Sequence, residues 1–465
     1  MSRNASISLH ERPRPGVEGQ EARDTEQDAG NLDTVESRQW DSKRKRIYIL
    51  VGASISQLPI WGFAMSYGVF QEYYYDNWTL QGGRDVTGII GTTSNGVMYL
   101  SMPFLFALFT KRWARRRQAA ALCGAAIICV SFILSSFSTH IWHLVATQGV
   151  LAALGCALMF SPLTLSLGEW YNTSNRAVAY GVTLSCKNIV GSACPFLLRV
   201  LLDRYGFRVA LRVWSAIAAG TSLLAILLVP TPPSSLPAST PRRRRIAWQF
   251  LRHKTFYIYA VAIILQSAAY GIPQTYLSTY AREVTLLSQT SATLLLTIFN
   301  IPGIVGSYLF GYLSDNKHWT LSATTMTAIS AISSGLAAFL FWGLTSRGSM
   351  GLLVLFSLTY GFFAGSYSAT WGGVINEMER EAAQMNEAID TGMLYGLLNG
   401  ARGIGYVSGG LASVPLLKAG SMASLGQFGY GSSYGPLIVF TGLGTMFGGW
   451  GLVWGLKWEK LLHLF

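Results

Sequence analysis

The chain has 465 residues, of which 51% are hydrophobic and only 12% charged, about half the charged share of a soluble domain. That composition excludes an ordinary soluble core and calls for many long apolar segments. A net charge of +13 would suit nucleic acid in a soluble protein, but here the bases cluster between apolar segments, which argues for orientation in a membrane and against nucleic acid as a partner.

Residues 1–46 form a polar, acidic-rich tail with scattered prolines and no apolar signal-peptide core, expected as a disordered cytoplasmic extension. The tail ends in Lys43-Arg-Lys-Arg46, which reads as an inside-facing membrane flank rather than a nuclear import signal. Six apolar segments follow, over about 47–70, 86–109, 118–137, 142–167, 177–198 and 209–229. Each is long enough to cross a ~30 Å hydrocarbon core at ~1.5 Å per residue. A proline-rich, basic stretch from Pro230 to Arg245 cannot span and divides the chain. Six more segments lie over about 255–280, 291–313, 321–344, 351–375, 391–416 and 434–454. The expected fold is an all-α membrane protein with twelve transmembrane helices in two pseudo-symmetric six-helix bundles, 47–230 and 255–456. A central loop over 231–254 and a C-terminus over 457–465 complete the chain.

Charge orients this layout. Lys43 to Arg46, Lys111 to Arg117, Arg242 to Arg245 and Arg252 to Lys254 fall on one side, so the termini and the central loop are expected to be cytoplasmic. Arg199, Arg204, Arg208 and Arg212, around the outward turn between segments five and six, are the exception. They read as capping and loop packing, or alternatively as a lure for anions at the outer mouth. The sequon Asn77-Trp-Thr79 falls in the first outward loop and makes Asn77 the glycosylation candidate, whereas Asn4 and Asn172 fall on the cytoplasmic side and should stay bare. All five cysteines lie inside apolar segments, without metal or disulfide spacing, and the six histidines are scattered. No metal, cofactor or enzymatic cluster is expected. The many glycines inside the spans suit either helices that slide on one another or static close packing.

Two bases interrupt the apolar sequence at matching places. Lys187 follows Gly181 by six residues and precedes Ile189 by two; Arg402 stands in the same relation to Gly396 and Ile404. A charge at bilayer depth costs roughly 2.5 kcal/mol or more on insertion scales. The fifth and eleventh segments are counterparts under the 6+6 repeat, and no predicted span holds an Asp or Glu at depth. Glu72, Asp76 and Glu283 fall at outer helix ends and read as solvated. Two readings stay open: the pair clamps a bound anion, or each base bonds carbonyls, hydroxyls and amides inside a bundle. Tyr67, Asn95, Gln266, Tyr270, Gln274, Asn300, Tyr367, Trp371 and Asn399 are candidates to line the same cavity, with helix packing as the alternative. Gly271-Ile-Pro273 offers a kink in the seventh helix.

The run Gly311-Tyr-Leu-Ser-Asp315-Asn-Lys317 resembles the G-x-L-x-D-[RK] loop of the major facilitator superfamily. The resemblance implies gating roles for Gly311, Asp315 and Lys317, with the aspartate paired to a base on a neighbouring loop. The first-half counterpart, 110–117, keeps the bases but lacks the glycine and aspartate. Residues 169–181, from Glu169-Trp-Tyr through Arg176 to Gly181, resemble the helix 4–5 signature of the monocarboxylate-porter family, which adds Arg176 to the gating set. Residues 62–72 and 361–371 resemble its fungal branch. The likeness covers the chain from Lys43 onward and implies a monomeric, alternating-access transporter of monocarboxylates, riboflavin-like solutes or secondary metabolites. The acid and arginine of proton-linked members align with Gly303 and Ser307, and their helix 1 lysine falls near Met65 or Ser66. Those residues therefore do not support proton coupling. The expected function is efflux or facilitated passage of a small organic anion or acidic secondary metabolite across the cell membrane. Alternatives are a vacuolar location, uptake of a nutrient monocarboxylate or vitamin-like solute, and a non-transporting nutrient sensor.

Overall fold

A computed structural model describes residues 43–77, 80–81, 87–110, 113–171, 175–229, 248–315, 321–420 and 428–453. The chain divides into two compact units, Met1–Tyr48 and Ile49–Phe465. In the first, residues 43–48 are helical. The second is built of helices, and eight helices among the described residues are long and apolar enough to cross a membrane.

Twelve helical segments follow one another in the described residues. The first, α1, comprises residues 49–55, Gln57–Met65 and Tyr67–Asp76, with breaks at Ser56 and Ser66. Next come α2 (Thr87–Thr110), α3 (Arg117–Ser135) and α4, which runs Ile141–Trp170 through a π-helical turn at Val145–Leu151. Helices α5 and α6 share the continuous stretch Arg176–Leu228 and are separated only at Gly206, whose φ of 71° and ψ of 170° suit glycine alone. Then come α7 (Lys254–Glu283), α8 (Gln289–Asp315), α9 (Ala323–Ala337), α10 (Met350–Ser366, a 3-10 turn, then Trp371–Gln384), α11 (Thr391–Lys418) and α12 (Gly435–Phe447).

The hydropathy reading placed these elements and misjudged several of their ends. Helix α1 runs past Phe70 to Asp76, α10 runs past Ile375 to Gln384, and no loop separates α5 from α6. Residues 231–247 and the acidic tail lie outside the described residues.

Helices in lipid must satisfy their own polar groups. Hydroxyls therefore turn back onto the carbonyl one turn earlier: Ser161 onto Ala157 at 2.8 Å, Thr183 onto Ala179 at 2.9 Å, and Ser166 onto Pro162 at 2.9 Å. The first and last six helices meet mainly where α5 packs along α8 and α2 along α11. Glycines make that contact intimate. A methyl on Gly311 would lie 2.8 Å from the carbonyl oxygen of Ala177, and one on Gly403 would lie 2.7 Å from the amide of Leu100. Helices α2, α5, α8 and α11 therefore form the seam between the first six helices and the last six.

Candidate functional site

Lys187 on α5 and Arg402 on α11 are both buried, at 6% and 5% exposure. Their helices come from opposite sets of six, and both cations rest on aromatic rings. The Lys187 ammonium lies 4.1 Å from the Trp61 ring centre. The Arg402 guanidinium lies 5.2 Å from Tyr99 and 5.6 Å from each of Tyr270, Trp371 and Tyr406. Trp61 and Tyr99 touch, with ring centres 5.3 Å apart. One continuous aromatic surface thus joins the two charges. Ring faces carry negative potential and ease the burial of each cation without neutralising it. Neither base has a carboxylate within ion-pair distance among the described residues. The Nε of Arg402 and the indole N–H groups of Trp61 and Trp371 are buried without a hydrogen-bond partner. All three are donors, which an anionic, oxygen-bearing ligand would satisfy.

Aromatic pairs close the site across the two sets of helices. Tyr99 stacks on Tyr406 at 5.4 Å and 9°, and Tyr180 stacks on Tyr395 at 5.1 Å and 13°. Beyond Tyr180 lies a cavity of about 310 Å³, lined by Glu169, Arg176, Asp390 and Thr391 among others. Trp371 packs on Tyr395, 6.1 Å between rings, so Tyr180, Tyr395 and Trp371 form a series of rings from the cavity to Arg402. On this face Arg176 bridges to Glu379 of α10 at 3.3 Å, and Arg117 grips Glu169 through two nitrogens at 2.6 and 2.8 Å. His253, just before α7, meets Glu387 at 2.8 Å and Glu381 at 3.1 Å. The hydrogen bond with Glu387 raises its pKa, against the opposing effect of burial and with help from Glu381.

The opposite face closes differently. Glu72 of α1 is only 2% exposed and pairs with both Arg199 of α5 and, at 2.6 Å, Arg282 of α7. The reading of Glu72 as a solvated helix end is therefore corrected. The charge ended the apolar run in the sequence, but two guanidinium groups let α1 carry it inside. Arg199 likewise belongs to a helix rather than a loop.

The other expected residues scatter around this centre. Tyr270 and Trp371 touch Arg402 directly. Asn95 lines a small chamber of about 20 Å³ with Thr92, Thr275, Tyr276, Tyr406 and Ser413. Gln274 donates to the Tyr270 hydroxyl at 3.2 Å. Tyr367 donates to the Gly448 carbonyl at 2.9 Å, and a methyl on Gly448 would lie 2.7 Å from Cβ of Gln266, so both residues face the chain just beyond α12. Asn300 donates to the carbonyls of Gly191 and Leu296, and Asn399 to that of Tyr395, so these amides serve backbone groups. Tyr67 donates to the carbonyl of Thr87, tying α1 to the start of α2. Gly311 sits at the α5–α8 contact. The Asp315 side chain and Lys317 lie outside the described residues. Asn77 is exposed at the end of α1, while Trp78 and Thr79 of its sequon lie outside the described residues. At the positions aligned with the proton-linked pair, Ser307 accepts from the Asn188 amide at 3.1 Å and Gly303 leaves room for that same side chain.

Sequence reasoning missed Trp61, Tyr99, Tyr406, Tyr180 and Tyr395. Tyr406 was findable, because it follows Arg402 by four residues and shares its helix face. Trp61 and Tyr99 reach the site only through helix packing.

Comparison with known proteins agrees with this architecture. A family model for the Major Facilitator Superfamily matches residues 49–410. The chain is 23% identical to the MFS-type transporter pynF of Aspergillus niger, over 82% of this chain and 83% of the relative. It is 27% identical to monocarboxylate transporter 13 of Rattus norvegicus, over 79% and 80%. It is 26% identical to monocarboxylate transporter 12 of Homo sapiens, over 54% of each. Twelve helical segments, a glycine-lined seam between two sets of six and the family match over most of the chain lead to one conclusion: the chain belongs to the major facilitator superfamily of membrane transporters.

Proposed function

We propose that the protein carries an organic anion by alternating access between two six-helix bundles, with Lys187 and Arg402 holding the solute's charge. One observation carries the reading. Two buried cations, one from each set of six helices, lie on a shared aromatic surface with no carboxylate partner among the described residues. Each cation is costly to bury unpaired, and a bound anion offsets that cost for both at once. A ligand that touches both also draws the two bundles together. The flat rings around Arg402 favour an aromatic or conjugated acid, whose carboxylate a guanidinium grips with two parallel bonds. The basic flanks along the sequence support a cytoplasmic Arg117 face and an outer Glu72 face. Efflux of an acidic secondary metabolite across the cell membrane is the favoured direction. Uptake of a monocarboxylate is the second reading, supported by the names of the mammalian relatives.

The test compares extracellular acids from cells carrying the intact protein, Lys187→Ala, Arg402→Ala or no transporter, at matched membrane abundance. Each substitution should reduce export of the affected acid at least tenfold, equivalent to about 1.4 kcal/mol. Unchanged export by both variants would sink the proposal.

A further inference from the structure

Charge counting narrows the solute. The central site holds two buried cations, Lys187 and Arg402, and no carboxylate lies within ion-pair distance of either among the described residues. A solute with one acidic group offsets one of these charges and leaves the other buried and unpaired. The remaining donors divide in the same way. Lys187 of α5 lies over Trp61 of α1, and the Trp61 indole N–H has no hydrogen-bond partner. Arg402 of α11 lies against Trp371 of α10, and both the Trp371 indole N–H and the Arg402 Nε lack a partner. Trp61 is 4% exposed and Trp371 1%, so neither indole is left to bulk water. Each set of six helices thus supplies one cation and one buried indole donor, and an oxygen acceptor is what each pair lacks. The path between the charges is short: 4.1 Å from the ammonium to the Trp61 ring centre, 5.3 Å on to Tyr99 and 5.2 Å on to the guanidinium. A small aromatic diacid, extended by a hydrogen bond at each end, is on the scale of that path.

We infer that the solute carries two acidic groups, one held by Lys187 with the Trp61 indole and the other by Arg402 with the Trp371 indole. The inference rests on the reading of the two cations as the solute site, and it adds that the solute is a dianion rather than a monocarboxylate. It also makes Trp61 and Trp371 residues that select the solute, through their N–H groups as well as their ring faces. Once one carboxylate is bound, the second contact is intramolecular, so a diacid outbinds a monoacid built on the same ring. A two-ended solute engages both sets of helices at once. A monocarboxylate leaves one set without its counter-charge.

Isothermal titration of the purified full-length protein at neutral pH tests the inference. Terephthalate and isophthalate are the dianions, benzoate is the monoanion on the same ring, and terephthalamide is the neutral isostere. The better dianion should bind once per chain and at least about tenfold more tightly than benzoate, with terephthalamide weaker still. Lys187→Gln and Arg402→Gln should each erase most of that preference. Trp61→Phe, which keeps a ring and removes the N–H, should erase part of it. Benzoate binding as tightly as the better dianion, or two benzoates occupying each chain, would overturn the inference and leave the anion reading standing. Terephthalamide matching the dianions would overturn both. Absence of dianion binding would sink the inference whether or not benzoate binds, and a preference that survives both glutamine substitutions would place the diacid elsewhere. The ranking of ligands on the intact protein decides the matter even where a variant does not fold.

Discussion

Arg402 shows how far a single side chain can specify a site. Four rings surround its guanidinium, and a planar cation can lie against several faces while keeping its edge for a ligand. Lysine keeps the charge but loses the plane. Arg402→Lys should therefore lower kcat/KM for the proposed anionic solute about tenfold or more at unchanged membrane abundance, whereas Lys187→Arg should be milder because Lys187 stands over one ring. Measurement of initial rates on the two variants checks the asymmetry; equal losses would contradict it. The cations were legible in the sequence because an isolated base in apolar surroundings needs an explanation. Their aromatic setting was not, because Trp61 and Tyr99 approach through the crossing of α1 and α2, which no spacing rule encodes. Glu72 was misread for the same reason: its partners stand 127 and 210 residues away.

At the level of elements, hydropathy was enough to place the long helices but not to end them. The tail of α10 carries Glu377, Glu379 and Glu381, which look like solvent residues in a linear reading. Each has a named partner, in Tyr259, Arg176 and His253 respectively, and the helix continues as far as those partners reach. Glycine positions separate two kinds of helix contact. A methyl on Gly409 would fall 1.9 Å from the Ala268 carbonyl oxygen, within the second set of helices. A methyl on Gly311 would fall 2.8 Å from the Ala177 carbonyl oxygen, across the two sets. Gly409→Ala should lower thermal stability, by about 1–3 kcal/mol for an overpacked contact. Gly311→Ala should also lower thermal stability but, unlike Gly409→Ala, should slow transport at matched membrane abundance, since its strain falls on a contact between the two sets of helices. Paired melting curves and transport rates test the contrast, and identical profiles for the two variants would refute it.

For the whole molecule, the two faces are closed by unlike means. On one face a buried carboxylate joins two guanidiniums; on the other, Arg176 and Glu169, each in an ion pair, line a cavity of about 310 Å³. His253 adds a titratable tie on the second face, linking the start of α7 to the end of α10 and the turn before α11. Its raised pKa means that folding favours the protonated ring. The stability it contributes is fully present below the ordinary histidine range and is lost as pH rises through the raised value. Melting temperature should therefore fall as pH climbs through that window, and His253→Gln should flatten the slope. A slope that persists in the variant would assign the effect elsewhere.

Gly206 sets a mechanical limit on all of this. With one residue between them, α5 and α6 have little slack, so a tilt of α5 is either absorbed in the two Gly206 dihedrals or passed on to α6. Lys187 therefore rides on one arm of a bell crank whose pivot is a residue without a side chain. In an alternating-access cycle, that pivot would decide how much of a movement at the charged centre is felt by the neighbouring helix.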